Sequence, residues 1–279
     1  MVEEMQKPTP TQETPLVRRL VCPNPGAFTG PGTNTYLIGA GEHVAILDPG
    51  PEDPAHIDRI LEAAEEAHAF IDLILVTHHH GDHLPGAYLL RDKVHAPLAT
   101  HGRNRSVDRP LSHGQRIPLD GFTLEALFTP GHAGDHFCYL MNDQWLFSGD
   151  LIVGRGTVTI RPPDGDMDEY LASLHSLRAY GISTILPGHW PRVDDPQAKI
   201  TEYIDHRMER EREVIAALRA GDRTPPTMVK RIYVALDPRL RAAAQGSVTS
   251  HLISLQRRGM VRVVHTENGH EYELTSRDV

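Results

Sequence analysis

The sequence predicts an α/β domain followed by a smaller helical module that ends in a β-hairpin. Three observations carry this. From Leu16 to about Ile200, short apolar runs alternate with amphipathic segments and turn signals. Four of those runs lead into a loop that opens with a histidine or an aspartate, at His78, His132, Asp150 and His189. Beyond residue 200 the pattern changes to charged helices closed by an Asn-Gly turn.

Tyr36 to Ile38 and Val44 to Leu47 read as strands about the Gly39-Ala40-Gly41 turn. Residues 54–69 predict a helix, with Pro54 near its start and Ile57, Ile60, Leu61 and Ala64 on one face. Asp72 to Thr77 is a buried strand that delivers Thr77-His78-His79-His80-Gly81-Asp82-His83 at its C-terminal end, where α/β sheets carry their chemistry. Phe122 to Phe128 is a strand that ends at Pro130-Gly131-His132. Phe137 to Met141 and Gln144 to Phe147 form a hairpin across Asn142-Asp143 and end at Ser148-Gly149-Asp150. A helix covers 167–179, and Ile182 to Leu186 is a strand ending at Pro187-Gly188-His189.

A long helix is expected over 201–219, stopped by Gly221. A second runs from Thr224-Pro225 to Leu236, because Ser/Thr and Pro favour helix starts. A third fits 238–244 and a fourth Ser247 to Arg258. Val261 to His265 and Glu271 to Leu274 flank the turn Glu267-Asn268-Gly269. Helices followed by a hairpin describe a winged-helix-like module. The expected divisions are a tail over 1–14, a catalytic domain over 15–200 and this module over 201–279.

With 279 residues, 39% of them hydrophobic and 23% charged, the composition is that of an ordinary globular protein. The formal charge of −9 argues against a chain built as a whole to bind polyanions. Two cysteines, Cys22 and Cys138, exclude a disulfide framework and a cysteine-based structural zinc site. No stretch approaches a membrane span, and the acidic, Pro-containing start lacks the apolar core of a secretory signal, so a cytoplasmic protein is expected. Over 207–262, twelve Lys/Arg face five Asp/Glu, a local surplus of seven positive charges that fits either a nucleic-acid contact or a solvated charged surface.

The donor set His78, His80, Asp82, His83, His132, Asp150 and His189 is free of sulfur and rich enough for two borderline metal ions. His78 and His80, two apart in extended chain, share one side. Asp82 and His83 follow on a Gly81 turn and can face a second ion. His132 completes the first group, His189 the second, and Asp150 can bridge. Two ions about 3.5–4 Å apart can share a hydroxide nucleophile and clamp the attacking and leaving oxygens. Asp82 is the candidate catalytic proton acceptor. Zinc is the expected metal, with manganese or iron also suited to such donors. His136, four residues past His132, is a candidate support for the ligands. His79, His95, His101, His113, His175 and His251 read as surface or packing residues.

The run Thr-His-x-His-x-Asp-His, with the later Gly-His, Gly-Asp and Gly-His, resembles the metallo-β-lactamase superfamily. That implies a four-layer αββα sandwich with a dinuclear site at one edge. Asn24 to Leu37, Ile46-Leu47-Asp48 and the winged-helix-like end resemble its β-lactamase-like protein 2 group. On that resemblance His78, His80 and His132 hold one zinc, Asp82, His83 and His189 the other, and Asp150 bridges, while Thr33 and Asn34 reach the pocket and bind substrate. The group includes an endoribonuclease acting on single-stranded RNA; relatives of the same architecture hydrolyse thioesters, esters or lactones. RNA is therefore the first expected partner and a small acyl substrate the alternative, with weak β-lactamase activity as a side reaction. Trp190 after His189, and Leu84-Pro85 after His83, depart from the group and predict a bulkier pocket. A purely structural metal site is disfavoured, since such sites are closed and often contain cysteine.

Overall fold

The computed structural model describes residues 10–103, 106–267 and 269–276. Two compact units share the chain. The first comprises Met1–Phe128, Asp135–Gly156 and Gly181–Pro196; the second comprises Thr129–Gly134, Thr157–Tyr180 and Gln197–Val279.

The first unit contains two sheets. One has seven strands in sequence order: β1 (Thr11–Thr14), β2 (Val17–Val21), β3 (Asn34–Ile38), β4 (His43–Leu47), β5 (Phe70–Leu75), β6 (Leu98–His101) and β7 (Arg109–Leu111). The other runs β12-β11-β10-β9-β8, with β8 (Gln115–Leu119), β9 (Phe122–Phe128), β10 (Phe137–Met141), β11 (Trp145–Gly149) and β12 (Thr184–Pro187). Most neighbouring strands up to β4 and from β8 to β11 are antiparallel. β4 to β7 and β11 with β12 are parallel, so consecutive strand ends in each sheet open on the same side.

Alternation along the strands builds the core. Tyr36, Ile38, Ala45, Leu47, Leu73 and Leu75 of the first sheet pack against Leu124, Ala126, Phe137, Tyr139, Met141, Phe147 and Leu186 of the second. The other face of the first sheet, with Leu37, Val44, Ile46, Ile74 and Val76, is covered by α1 (Pro54–Glu66) and α2 (Pro85–Val94) through Ile57, Ile60, Ala63, Ala87 and Leu90. Asp53 caps α1 by accepting from the backbone N–H of Ala55 and His56, with Pro54 as its first residue. Pro85 opens α2 in the same way, so the Leu84-Pro85 pair serves a helix start. The hairpin between β10 and β11 turns at Asn142 and Asp143, both at positive φ (49° and 58°), as a two-residue turn of this hand requires.

The second unit holds α3 (Met167–Leu177), α4 (Pro196–Arg219), α5 (Pro225–Ile232), a 3₁₀ turn at Pro238–Leu240, α6 (Arg241–Arg257) and the hairpin β13 (Val261–Thr266) with β14 (Gly269–Leu274). Val214 and Leu218 of α4, Met228 of α5, Val248, Leu252 and Leu255 of α6, and Val261 form its apolar centre. Asp166 caps α3 through the N–H of Asp168 and Glu169.

Several expectations are corrected. Thr11–Thr14, expected in the tail, is a strand paired with β2; residues 1–9 lie outside the described residues. The long helix begins at Pro196 rather than 201, with the proline at a start where its missing N–H costs nothing. α5 ends at Ile232 instead of Leu236, because Tyr233 leaves the helical region at φ −112° and ψ 74°. The two helices expected over 238–244 and 247–258 are one: α6 runs through Gly246. A Cβ on Gly246 would stand 2.4 Å from Arg161 Cγ, so this glycine marks a close approach and not a stop. The turn residue Asn268 lies outside the described residues. α2 was not anticipated. No helix among the described residues is long and apolar enough to cross a membrane.

Gly86 shows the same logic in α2. Its N–H donates to Gly50 O at 2.9 Å, and an added Cβ would meet the Gly50 and Pro49 carbonyl oxygens at 2.7 Å. Alanine gains about 1 kcal/mol of helix propensity over glycine, but backbone oxygens cannot move aside. Gly86→Ala is expected to destabilise the protein by about 1–3 kcal/mol in chemical denaturation; a stabilised variant would show the contact to be loose.

Candidate metal centre

Six of the seven sequence-predicted donors meet within the first unit. β5 leads to His78, His80, Asp82 and His83; β11 leads to Asp150; β12 leads to His189. Candidate ligand atoms of His78, His83 and Asp150 all lie within 4.8 Å of one another, as do those of Asp82, His83 and His189. His78 Nε2 and His80 Nδ1 are 2.9 Å apart. Asp82 Oδ2 stands 3.2 Å from His189 Nε2, and Asp150 Oδ1 is 3.4 Å from His189 Nε2 and 3.6 Å from His83 Nε2. His132 falls in the second unit, on Thr129–Gly134, where its Nδ1 lies 3.1 Å from Thr159 O.

The ring tautomers follow from what each other nitrogen touches, because carbonyls and carboxylates only accept. His83 Nδ1–H donates to Asp48 Oδ2 at 2.9 Å, His189 Nδ1–H to Gly32 O at 3.1 Å, and His132 Nδ1–H to Thr159 O. The Thr77 hydroxyl donates to Asp48 Oδ2 at 2.9 Å, which leaves its oxygen to accept from His78 Nδ1–H at 2.9 Å. In each ring Nε2 is thus the nitrogen with a lone pair to offer. His83 Nε2 is fully buried and makes no hydrogen bond, while it faces the carboxylates of Asp82 and Asp150. Facing two carboxylates, buried Nε2 calls for a cation between them, either a proton on the ring or a metal ion that displaces it. The donor set fits a divalent metal ion.

Asp48 escaped the sequence reading as a functional residue. Besides Thr77 Oγ1 and His83, it accepts from the Thr77 backbone N–H at 2.7 Å. It sits at φ 50°, a left-handed position that aspartate tolerates, directly after β4. The available signal was its place: an aspartate at the end of an apolar strand, like Asp150. Asp135 is the second such residue, buried and 2.8 Å from His79 Nδ1. His136 accepts the Asp150 N–H at Nε2, 3.2 Å away. Gly149, at φ 47°, has no room for a Cβ, which would meet Thr77 at 2.7 Å and His136 Nε2 at 2.8 Å.

Thr33 and Asn34 brace the His189 segment. Thr33 bridges His189 through the backbone, and its Oγ1 accepts from Asn24 Nδ2. Asn34 Nδ2 donates to Pro187 O and Trp190 O, both at 2.8 Å. Trp190 is held at φ 71°, unusual for a bulky residue, and its ring fills the space that a Cβ on Gly30 would need.

Charge in the site is balanced by protons. Burial opposes ionisation of Asp82, but His83 and His189 outweigh it and draw its pKa down to about 2. Burial likewise disfavours a charged His83 or His189. Asp48, Asp82 and Asp150 reverse this for His83, to about 9, and Asp150 with Asp82 reverses it for His189, to about 11. The metal-free site therefore stores imidazolium protons where a cation would sit.

Many of the basic side chains over 207–262 are ion-paired, mostly with acids already counted against them, so that only three further acids lower the surplus, from seven to four. Arg210 pairs with Glu213, Arg212 with Glu209, Arg231 with Asp222, Arg239 with Asp237, Arg257 with Asp166 and Asp168, Arg258 with Glu211, and Arg262 with Glu273. Asp166, Asp168 and Glu273 lie outside the window in which the surplus was counted. Both cysteines are buried free thiols, and burial pushes the Cys22 pKa up to about 12.

Comparison with known proteins bears on this geometry. Residues 28–189 match the family model for the metallo-beta-lactamase superfamily, and residues 224–269 match the beta-lactamase associated winged helix domain. The chain is 34% identical over 298 residues to the beta-lactamase-like protein 2 homolog of Drosophila melanogaster, covering 96% of this chain and 98% of the relative. It is 38% identical over 211 residues to an atrochrysone carboxyl ACP thioesterase of Aspergillus chevalieri, covering 74% and 67%. A beta-lactamase domain protein from Burkholderia ambifaria superposes with a TM-score of 0.82 at 21% identity, over 95% and 93% of the two chains.

Two measurements follow. Because His83 and His189 bind protons more tightly folded than unfolded, the stability they lend is full below about pH 6.5 and lost as pH rises through about 9 to 11. Metal-free protein should lose urea resistance from pH 7 to 10, and divalent-metal binding near pH 7 should release protons, read by calorimetry in buffers of differing ionisation enthalpy. Asp48→Asn should weaken metal affinity roughly 10–100-fold in chelator competition, with the fold retained; unchanged affinity would remove Asp48 from the site.

Proposed function

We infer that this chain, which belongs to the metallo-β-lactamase superfamily of hydrolases, is a two-zinc hydrolase of phosphodiesters in single-stranded RNA. The observation that carries the hydrolase reading is His83 Nε2, buried without a hydrogen bond between the carboxylates of Asp82 and Asp150. The ligand set is His78 and His80 for one ion, Asp82, His83 and His189 for the other, and Asp150 for both. His132 joins the first on the superfamily resemblance, through Nε2, since Nδ1–H is held by Thr159 O. Borderline ions suit this nitrogen and oxygen set, zinc foremost, with manganese and iron as substitutes.

Such ions, when bound, polarise the scissile group and lower the pKa of water to about 7. The chain's own residues then position and orient. Asp48 fixes the rings of His83 and, through Thr77, His78. Asp82, held ionised down to about pH 2, is too weak a base to store the proton; it accepts the hydrogen bond that aims the attacking water. Asn34 and Thr33 hold the His189 segment in register.

RNA is supported by the resemblance of Asn24 to Leu37 to the β-lactamase-like protein 2 group and by the relatives that match the chain over nearly its whole length. A second reading, a hydrolase of acyl thioesters, is favoured by the thioesterase relative and by Asp166, Asp168 and Glu273, which pair with C-terminal arginines and lower the local charge that would draw a polyanion.

Metal-loaded protein should cut a labelled single-stranded RNA endonucleolytically, and Asp150→Ala should reduce cleavage by at least about a thousandfold, the scale of losing a group acting at the transition state. Turnover of an acyl thioester with intact RNA would transfer the site to the second reading. Activity undiminished in Asp150→Ala would sink both.

A further inference from the structure

The second unit holds a cluster of basic side chains remote in sequence from the His/Asp donors. Arg207, on α4, is 2% exposed. Its Nη2 donates to Val158 O at 2.6 Å, and its guanidinium lies 5.2 Å from the Tyr170 ring centroid. Its Nε–H has no hydrogen-bond partner. Among the described residues no carboxylate pairs with it, whereas Arg210 has Glu213 and Arg258 has Glu211. A carbonyl and an aromatic face soften a buried charge without cancelling it.

His251 lies on α6, which packs with α4 around Val214, Leu218, Val248 and Leu252; it is wholly buried, with neither ring nitrogen hydrogen-bonded. Arg210 Nε and His206 Nδ1 are also buried without a partner. These groups feel one another: burial first, then Arg207, Arg210, His206 and Arg258, hold the His251 pKa down to about 3, so the ring is neutral. The cluster is rich in donors. Arg207 Nε–H, Arg210 Nε–H and one N–H of His251 all lack acceptors, and one positive charge lacks a counter-charge. Water would satisfy some of the N–H groups but leave the charge; an anion with several acceptor oxygens answers both needs.

We propose that Arg207, Arg210 and His251 bind a small tetrahedral oxyanion of the phosphate class, at a site within the second unit that is separate from the His/Asp centre. The near-total burial of Arg207 and His251 selects a small ion over a polynucleotide.

The test follows thermal unfolding of the full chain in inorganic phosphate and in chloride at matched ionic strength, for wild type, Arg207→Met, His251→Phe and Asp150→Ala. Phosphate should raise the wild-type midpoint saturably, by roughly 2–4 °C at about tenfold excess over Kd. The His251 ring ¹⁵N resonances should move with it. Asp150→Ala should keep the response, and Arg207→Met or His251→Phe, whichever folds, should lose it. Equal responses to phosphate and chloride, or no wild-type response, would overturn the proposal. So would a response lost in Asp150→Ala and kept in Arg207→Met, which would put the anion at the metal centre. A shift caused by a single-stranded oligonucleotide but not by inorganic phosphate would also overturn it.

Discussion

The Asp48 carboxylate is the interaction on which the site depends. It accepts from the Thr77 backbone, the Thr77 hydroxyl and the His83 ring, and the hydroxyl passes the constraint on to His78. One buried acid thereby sets the tautomer of two imidazoles and pins the end of β5. A carboxylate this well hydrogen-bonded is inexpensive to bury, while an unmatched one would cost several kcal/mol. Its left-handed backbone turns the side chain beneath the neighbouring strand end, and its own carbonyl accepts the Thr35 hydroxyl at 2.7 Å, which ties β3 to the same point.

The two sheets carry this arrangement to the other donors. Tyr36 Oη donates to Pro187 O and Tyr139 Oη to Val76 O, both across the interface between the sheets. Each bond lands within two residues of a donor histidine. The apolar rings supply burial and their hydroxyls fix where the opposite strand ends, so packing and ligand placement are one event. Gly149 and Gly188 have no room for side chains at the same place; a Cβ on Gly188 would meet Asp150 Oδ1 at 2.8 Å.

What the sequence disclosed is what depends on local pattern. The donor loops after β5, β11 and β12, the Asn142-Asp143 turn and the β13–β14 hairpin were legible because period-two alternation and turn residues are read over a few positions. Asp48 was not legible as a ligand support, because it acts on histidines dozens of positions away. The size of the charge surplus over 207–262 was not legible for the same reason: Arg257 meets Asp166 and Asp168 through space. The two helices expected over 238–244 and 247–258 left Gly246 between them, and the approach of Arg161 explains a glycine inside one continuous helix. The buried charge of Arg207 was invisible, since nothing in a helix's charge pattern tells which arginine turns inward.

The parallel pairs β4/β5 and β11/β12 are one device used twice. Each places two adjacent strand ends on the same side of a sheet: Asp48 beside His78 in one, Asp150 beside His189 in the other. Placement errors are then correlated within a pair, and the bonds of Asn34 and Tyr36 to Pro187 O link one pair to the other. A slip along β12 would pull His189 away from its Gly32 contact and Pro187 from Asn34, both of which belong to the first sheet and the loop before β3, so the two pairs hold each other in register. The centre is in that sense a vernier of two rigid scales, and the spacing of its donors is set by how the two sheets face each other rather than by any single loop.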